Sequence, residues 1–417
     1  MPRNSETVTT APTCARADLP PVVVGGVFQT GLNLMRDLVQ KGVRAVGVDY
    51  APEHQGFRSI YGQSYLCPNP ASEPQKWLEF MRSLSTRLGR KAVLIPADDV
   101  FVSAFAAHAD ALREGYLFSR GAQLHALLSS KEKQYELAEL HGFPCPRSVY
   151  VRRVEELREF AASAQFPCLL KPRSAQVWGA LPEGNPLRNH KVATAQNPEE
   201  LLGQYRLVEA FQPEVVAQEC IVGPDSSKYC YLSVYGNDGS RLGSCVVREY
   251  RAFPVMFGSA SLVEPVIDDE IQSMCDRFLR SLDYAGLCEI EVKRDSRDGK
   301  VRLIEVNPRC SGTGDCAKYT GVEVGWLHYL DLVGERVAPI EASRFNFRHI
   351  TLQRDFRAIP KYIAEKTLTW RDVFASYRGP LEFFDLDFRD FRVTARTVYY
   401  ALRELVGGIL RNWGLKR

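Results

Sequence analysis

An alternating run of charged and apolar residues from 289 to 307, interrupted by one polar turn, constrains the fold of this chain more than any other segment. Alternation on both sides of a turn predicts a β-hairpin. A three-residue loop with Gly299 in the left-handed position would pair Ser296 with Lys300. The alternative two-residue loop, 298–299, would mix charged and apolar residues on both faces, so the pattern favours the three-residue loop.

The favoured register separates the two faces of this hairpin. The face toward a core would carry Ile290, Val292, Ile304 and Val306, and the other face would carry Glu289, Glu291, Glu305 and Asn307. Glu291 and Glu305 would lie directly opposite each other, which destabilises a sheet unless a cation lies between the two carboxylates. Oxygen ligands suit Mg²⁺, and neither strand offers the sulfur or imidazole that zinc prefers. The alternative is a solvated polar face neutralised by Lys293, and the hairpin alone leaves both interpretations open.

Length, charge and cysteine spacing exclude several classes of protein. A chain of 417 residues is too long for one hydrophobic core, so we expect two or three domains. The net charge of +3 gives no reason to expect a nucleic-acid partner. The eleven cysteines are scattered without a Cys-x-x-Cys motif, which indicates reduced thiols. The polar start of the sequence and the lack of a long apolar run predict a cytoplasmic protein without a transmembrane segment.

The N-terminal part of the chain has the pattern of a parallel, doubly wound sheet. Residues 22–24 and 43–49 read as strands that flank an amphipathic helix, and 92–96 read as a further strand. Asp98 and Asp99 follow that strand at the carboxyl end, where ligands of open parallel sheets bind. The alternative for both aspartates is capping of the next helix.

Two lysines lie at the ends of predicted elements in the middle of the chain. Lys131 follows Ser130 at the start of a helix, and Lys171 ends the short apolar strand 166–171. The polar, Gly/Pro-containing segment 172–189 comes next and predicts a mobile loop. A single lysine is usually a surface side chain, so these two gain significance only from their neighbours in the sequence.

Taken together, these segments resemble the ATP-grasp superfamily, in particular the carboxylate–amine ligase branch related to D-aspartate ligases and carbamoyl-phosphate synthase large-subunit domains. The resemblance runs over residues 20–335, and its most specific part is Glu291 followed by Glu305-Val-Asn307-Pro-Arg309. It implies that Glu291, Glu305 and Asn307 bind one or two Mg²⁺ ions, with Mn²⁺ as an alternative metal. It also implies that Arg309 faces the phosphate that is transferred from ATP.

The resemblance extends to the two lysines. Lys131, with Gly142 and Pro146 at the expected later spacing, resembles the first nucleotide lysine of the family. Ser130 stands where the family usually has Asp. Lys171 resembles the second lysine, which reaches the α- and β-phosphates of ATP.

The segment 216–225 resembles the hinge of the family, which binds the nucleoside. By this resemblance Gln218 and the Glu219 carboxylate, with the backbone of Cys220 and Ile221, contact adenine. Asp225, the acid after Gly-Pro, would hold the ribose.

The segment 248–260 resembles another motif of this branch, whose arginine lies near the phosphates or the substrate carboxylate. Arg251 fits that role best by its spacing to Pro254, and a guanidinium can bind such oxyanions in a bidentate way. Glu249 stands where a basic residue is common.

The expected architecture is α/β (α+β): an ATP-grasp fold with an N-terminal doubly wound domain and a C-terminal extension. The predicted ranges are a disordered N-terminus 1–17, a Rossmann-like domain 18–118, a lid region 119–213, a lobe with the metal site 214–344 and a helical extension 345–417.

The implied activity is ATP-dependent amide formation between a carboxylate and an amine, with an amino acid as one substrate and ADP and phosphate as products. The loop 173–189 would close over the acyl phosphate. The alternatives are carboxylation or thioester formation, and a non-catalytic nucleotide-binding regulatory protein.

The C-terminal segment carries a broad apolar stripe flanked by basic residues. The stripe comprises Val398, Tyr399, Leu402, Leu405, Val406, Ile409, Leu410 and Trp413, and the flanking residues are Arg396, Arg403, Arg411, Lys416 and Arg417. A basic amphipathic helix can lie on an anionic membrane surface, so a peripheral membrane contact stays open. The sequence favours docking of the stripe on the same protein or on a twin subunit, which leaves a homodimer open. Gly407 and Gly408 would weaken this segment as a free helix.

Overall fold

The computed structural model of the protein describes residues 18–172 and 177–412. The predicted disordered N-terminus, 1–17, lies outside the described residues. The chain forms two compact units. Unit 1 comprises 1–130, 229–291 and 306–417, and unit 2 comprises 131–228 and 292–305.

The N-terminal part of unit 1 is the predicted doubly wound sheet. Its strands are β1 (Val22–Gly25), β2 (Ala45–Asp49), β3 (Gln63–Leu66), β4 (Ala92–Pro96) and β5 (Tyr116–Leu117), and its helices are α1 (Gln29–Gln40), α2 (Pro74–Leu88), α3 (Asp99–Ala107), α4 (Ala109–Leu112) and α5 (Ala122–Ser129). The strands run parallel in the order β3-β2-β1-β4-β5. Residues 22–24 and 92–95 are buried along their whole length, as expected for strands that are covered on both faces.

The carboxyl ends of β1 and β4 lie side by side in this sheet. Gly26 follows β1 with a φ of 89°, and a Cβ atom there would lie 2.6 Å from Oδ2 of Asp98. Asp98 caps α3, because its Oδ1 accepts a hydrogen bond of 3.0 Å from the Phe101 N–H. Burial is the main reason that the pKa of Asp98 is raised to about 6. The capping interpretation of Asp98 is therefore correct.

Unit 2 is built on a four-stranded antiparallel sheet. Its elements are α6 (Lys131–Leu140), β6 (Ser148–Val151), α7 (Val154–Ser163), β7 (Cys168–Pro172), β8 (Ala193–Ala195), α8 (Pro198–Arg206) and β9 (Val215–Glu219). The strand order is β6-β9-β7-β8. Residues 173–176 of the predicted mobile loop lie outside the described residues. The described remainder is anchored in the core of unit 2, since the side chains of Trp178, Leu181 and Leu187 are buried.

An eight-stranded sheet contains the rest of the strands. In chain order the elements are β10 (Lys228–Tyr235), β11 (Arg241–Phe253), β12 (Ser259–Val266), α9 (Asp269–Ser281), β13 (Gly286–Arg294), β14 (Val301–Asn307), α10 (Gly314–Tyr319), α11 (Val324–Leu332), β15 (Ile340–Glu341), β16 (Arg348–Ile350), α12 (Leu352–Ala364), α13 (Trp370–Ser376), β17 (Leu381–Phe383) and α14 (Phe391–Asn412). The strand order is β14-β13-β10-β11-β12-β16-β17, and β15 pairs with β11. The predicted hairpin is thus β13–β14, and the predicted mixture of helix and strand is confirmed.

The turn of this hairpin differs from the prediction. Asp295 N–H donates to Lys300 O over 2.9 Å, and Gly299 N–H donates to Asp295 O over 2.7 Å, so the loop has four residues rather than three. Gly299 is left-handed, as predicted, with a φ of 71°. The added residue has a physical cause: the buried Asp295 carboxylate accepts from Arg297 N–H at 3.0 Å and pairs with Arg297 and Arg302 at 2.6 and 3.3 Å.

The alternation of buried residues along β14 also breaks. Val301 and Leu303 are buried, Ile304 and Glu305 are both half-buried, and Val306 is buried. The prediction that Ile304 faces a core is therefore wrong: Ile304 is half-buried, and its neighbour Leu303 is buried instead. The prediction for Val306 is confirmed.

The C-terminal helix α14 docks on α12, and the residues that it buries most completely are mainly small. Its buried residues are Val393, Thr394, Thr397, Ala401, Gly407 and Gly408. A Cβ atom on Gly408 would lie 2.6 Å from Cγ of Pro360, so the glycine permits the close approach. Leu402 and Val406 of the stripe are about half exposed, so these two residues do not dock on the same protein. Docking of the stripe on a twin subunit stays a prediction. No helix among the described residues is long and apolar enough to cross a membrane.

Candidate nucleotide-binding and metal-binding residues

The two predicted nucleotide lysines both belong to unit 2. Lys171 lies near the end of β7, opposite Val216 of β9, and Lys131 is the first residue of α6. The Lys171 ammonium donates to Gln218 Oε1 over 2.6 Å, and the Gln218 amide donates to Ser148 Oγ over 3.0 Å. The antiparallel pairing of β7 and β9 therefore holds a lysine from one predicted motif against a glutamine from another.

The electrostatics of this group are unusual for a lysine. Burial, and next the positive charge of Lys131, lower the pKa of Lys171 to about 8, while the Glu305 carboxylate opposes that change. Two ammonium groups and one carboxylate of unit 2 thus lie within electrostatic reach of one another. An anion bound beside the lysines would relieve their repulsion, which is the property that a phosphate-binding site needs.

The hinge residues have contacts of their own within unit 2. The Cys220 N–H donates to Pro167 O over 2.9 Å, and Cys220 O accepts from Arg297 over 2.9 Å. Both backbone polar groups of Cys220 therefore have partners within unit 2, and its contact with adenine stays a prediction. One oxygen of Glu219 accepts from the Gln165 N–H over 2.8 Å.

Ile221 and Asp225 follow β9 in the same unit. Ile221 is buried, and Asp225 begins a short 3-10 turn, Asp225–Ser227, with its side chain 6% exposed. The carboxylate that is proposed to hold the ribose is thus placed by a turn after Gly223, whose φ is 142°. The nucleoside roles of these residues stay predictions.

In unit 1, the ends of β13 and β14 place polar side chains together. The Asn307 amide nitrogen donates to Glu289 Oε2 over 3.1 Å and to Glu291 Oε1 over 3.5 Å. The Thr313 hydroxyl also donates to Glu289. Glu289, Glu291 and Asn307 therefore share one side of the hairpin in unit 1, as the alternation predicts.

Arg309 links this group to the N-terminal sheet of the same unit. Its Nε donates to Asp99 Oδ1 over 2.6 Å, and its Nη2 donates to Asn307 Oδ1 over 3.0 Å. None of the sequence motifs predicts a partner for Asp99. The only signal in the sequence was its place at the carboxyl end of β4, the edge where ligands of parallel sheets bind.

The donor set fits a hard divalent cation better than zinc. Glu291, Glu305 and Asn307 offer carboxylate and amide oxygens, which are the ligands that Mg²⁺ prefers. Within 18–172 and 177–412, no group of three or more His, Cys, Asp or Glu side chains could by itself hold a metal ion. The metal role of these three residues stays a prediction.

Arg251 does not have the environment that its predicted role requires. Its side chain is 1% exposed, and it forms a bidentate pair with Asp355, both bonds being 2.8 Å. The remaining terminal nitrogen donates to Ser376 Oγ over 2.7 Å. Because these groups occupy the guanidinium inside unit 1, we do not assign Arg251 to phosphate or substrate binding.

Comparison with known proteins places these residues in context. No family model matches the sequence. The chain is 25% identical over 230 residues to the D-aspartate ligase of Enterococcus faecium, which covers 53% of this chain and 53% of that protein. It is 23% identical over 231 residues to the carbamoyl phosphate synthase large chain of Methanoculleus marisnigri, covering 53% of this chain and 20% of that protein. The chain thus matches about half the length of the first relative and about a fifth of the second.

A solved structure gives the fold. The biotin carboxylase domain of the 2-oxoglutarate carboxylase from Hydrogenobacter thermophilus, in complex with MgADP, ADP and bicarbonate, superposes with a TM-score of 0.59 at 16% identity. The match covers 79% of this chain and 73% of that chain. At this identity the likeness establishes the fold, and the fold predicted from the motifs is confirmed.

Proposed function

We propose that this chain, which belongs to the ATP-grasp superfamily, is a ligase that uses ATP to join a carboxylate to an amine, with an amino acid as one substrate. The likeness to a D-aspartate ligase supports an amino acid, although it spans only half of that protein. A cytoplasmic location is also part of the proposal. The ten cysteines of the described residues are free, which agrees with a reducing compartment.

One observation carries the proposal: the arrangement of Lys131, Lys171 and Glu305 in unit 2. Burial and the neighbouring ammonium lower the pKa of Lys171 to about 8, so the free protein holds two cations at an electrostatic cost. Such a cost is typical of functional sites, where a ligand removes it. A nucleotide phosphate has the charge to do so, and the lysines would orient it and neutralise the charge that spreads over the transferred group.

Unit 1 would supply the remaining groups. Glu291 and Asn307, together with Glu305 of unit 2, would hold one or two Mg²⁺ ions. Bound Mg²⁺ would neutralise the β- and γ-phosphate oxygens, and Mn²⁺ accepts the same oxygen ligands. Arg309, which is held in place by Asp99 and Asn307, would stabilise negative charge on the phosphoryl group.

The reaction is written in two steps. A carboxylate oxygen of the first substrate attacks the γ-phosphorus, an O–P bond forms, and the bond to the bridging oxygen breaks so that ADP leaves. The amine nitrogen of the second substrate then attacks the acyl carbon, a C–N bond forms, and phosphate leaves while the amine loses a proton. Water must be kept from the acyl phosphate, since hydrolysis would waste it.

The test is turnover by the purified protein with Mg·ATP and pairs of amino acids, read as ADP, phosphate and product mass. Lys131→Met should reduce turnover by about 10²-fold or more, since it removes a charge from the transition state. Lys133→Met is the matched control on the same helix, because its ammonium pairs with the exposed Glu136 over 2.8 Å. Release of AMP and pyrophosphate, or equal losses in both variants, would contradict the proposal.

A second candidate is carboxylation, which the likeness to a biotin carboxylase domain favours. The same assay separates the two functions when bicarbonate is added in place of the carboxylic acid. ATP turnover that requires bicarbonate, with a carboxylated amine as product, would establish the carboxylase. Nucleotide binding without turnover under every condition would instead favour the non-catalytic, regulatory alternative.

A further inference from the structure

The C-terminal helix α14 has an apolar band that unit 1 leaves uncovered. Phe391 is 71% exposed, Tyr399 62%, Leu402 50% and Val406 53%. Ala395 lies in the same band and is also exposed. Large apolar side chains that follow one face of a helix for about four turns indicate an interaction surface rather than single exposed residues. We call this band the outward face of α14.

A different side of α14 packs on the rest of unit 1. The helix is already docked on α12 through the opposite side, where Gly408 lies against Pro360 and the Asn412 amide donates to Pro360 O over 2.7 Å. The buried side consists of Val393 and small residues, and Val398, Leu405, Ile409 and Leu410 are half-buried beside it. The residues of the outward face stay exposed.

The charges beside the outward face all have one sign. The exposed arginines from the loop before α14 to its end are Arg389, Arg392, Arg396, Arg403 and Arg411. The described segment 388–412 has two acids. Asp390 is buried and accepts from Ser59 over 2.5 Å, and Glu404 lies within ion-pairing distance of Arg357 and Arg403. The exposed charge of this segment is therefore positive.

The geometry of the helix places the arginines next to the apolar band. At about 100° per residue, 392, 396 and 403 fall in one row along the edge of the band. Two exposed aromatic side chains stand at its beginning, Phe388 at 84% and Phe391 at 71%. An apolar face with aromatic residues and an adjacent row of arginines is the pattern of a helix that lies in the interface of a bilayer, with its cations at the lipid phosphates.

We propose that the outward face of α14 binds the surface of an anionic lipid bilayer. The helix would lie in the plane of the interface, with Leu402 and Val406 in the acyl boundary and Arg392, Arg396 and Arg403 at the headgroups. A second copy of the chain is the competing occupant. It fits less well, because pairing two such faces would bring rows of arginines together, and the described part of the segment offers no exposed acid to compensate them.

The test uses the whole protein with vesicles of phosphatidylcholine alone or mixed with phosphatidylglycerol, and measures the bound fraction by cosedimentation. Binding should favour the anionic vesicles by about tenfold or more and should weaken when NaCl is raised from about 0.05 to about 0.5 M. Each arginine near a charged surface contributes about fivefold in affinity. The triple change R392Q/R396Q/R403Q should therefore reduce binding at least tenfold.

Two matched controls isolate the surface. R82Q/R87Q/R158Q removes three exposed arginines from other helices and should leave binding unchanged. In the apolar pair, L402E/V406E should abolish binding, whereas Ile267→Glu, at a site that is 74% exposed outside this helix, should not. Thermal unfolding of every variant shows whether the fold is kept. The arginine set decides the outcome if L402E/V406E does not fold.

Three results would overturn the inference. One is equal binding to neutral and anionic vesicles. Another is binding that the arginine changes leave intact. The third is a dimer in solution that L402E/V406E dissociates, in a protein that does not bind vesicles. None of these results depends on ligase activity, so they leave the proposed function untouched.

Discussion

The charge state of Lys171 predicts how nucleotide affinity depends on pH. The pKa of this ammonium in the free protein is about 8, against 10.5 for an ordinary lysine. A phosphate bound beside Lys171 favours its protonated form, so the nucleotide raises that pKa again. The nucleotide affinity is therefore highest below pH 8 and falls as the pH rises above 8. The fall ends where the pH reaches the pKa of Lys171 in the nucleotide complex.

The magnitude follows from the fraction of free protein that carries the proton. With a pKa of about 8, the need to protonate Lys171 leaves the nucleotide affinity almost unchanged at pH 7. At pH 9 it lowers that affinity about tenfold, which corresponds to about 1.4 kcal/mol. A lysine with an ordinary pKa would show no loss over this range. Lys171→Arg keeps the positive charge at every pH tested, because a guanidinium does not lose its proton. The variant should therefore bind with an affinity that does not change between pH 7 and pH 9.

Isothermal titration with Mg·ADP at about pH 7, 8 and 9 measures this dependence. Repeating each titration in buffers of different ionisation heat measures proton uptake, which should approach one proton per nucleotide near pH 9 in the wild type and none in Lys171→Arg. A wild type whose affinity does not change with pH would refute the reasoning. So would a variant that keeps the tenfold loss, because the titrating group would then be another residue.

Three further outcomes are expected. Gly408→Ala should lower the free energy of unfolding in urea by about 1–3 kcal/mol, because its Cβ would lie 2.6 Å from a ring carbon of Pro360. The control is Gly407→Ala, whose Cβ would meet only a flexible arginine nitrogen at 3.5 Å, so this change should be neutral or stabilising. Arg251→Met should lower the free energy of unfolding by about 3–5 kcal/mol, because it leaves Asp355 buried without its cation. A second change, Asp355→Leu, should restore stability, and this recovery would separate the loss from a role of Arg251 in binding. Glu291→Gln should raise the Mg²⁺ concentration needed for half-maximal ATP turnover by about tenfold, and an unchanged requirement would remove this carboxylate from the metal site.

Much of the fold could be read from short stretches of sequence. The strand Ala92–Pro96 has the predicted bounds, and the helix Lys131–Leu140 begins at Lys131, as predicted. These elements are local, because apolar runs and turn residues within one window decide them. The placement of Asn307 beside Glu291 was also predictable, since strand alternation alone puts them on one face.

Other features depended on partners that no local pattern contains. The motif at Arg251 suggested an oxyanion site, but Asp355, 104 residues further along the chain, occupies its guanidinium. The hairpin loop gained one residue because the buried carboxylate of Asp295 collects two arginines. A local sequence pattern does not show which group, distant in the sequence, will form hydrogen bonds with a given side chain.

The C-terminal helix shows the same division most clearly. Its apolar stripe, its arginines and its two glycines are all visible in the order of the residues, and they are enough to predict an amphipathic helix. Which side of that helix packs inward was decided by α12, where Pro360 leaves room only for a residue without a side chain. Periodicity describes the faces of a helix, but close packing against a particular neighbour selects the face that is buried.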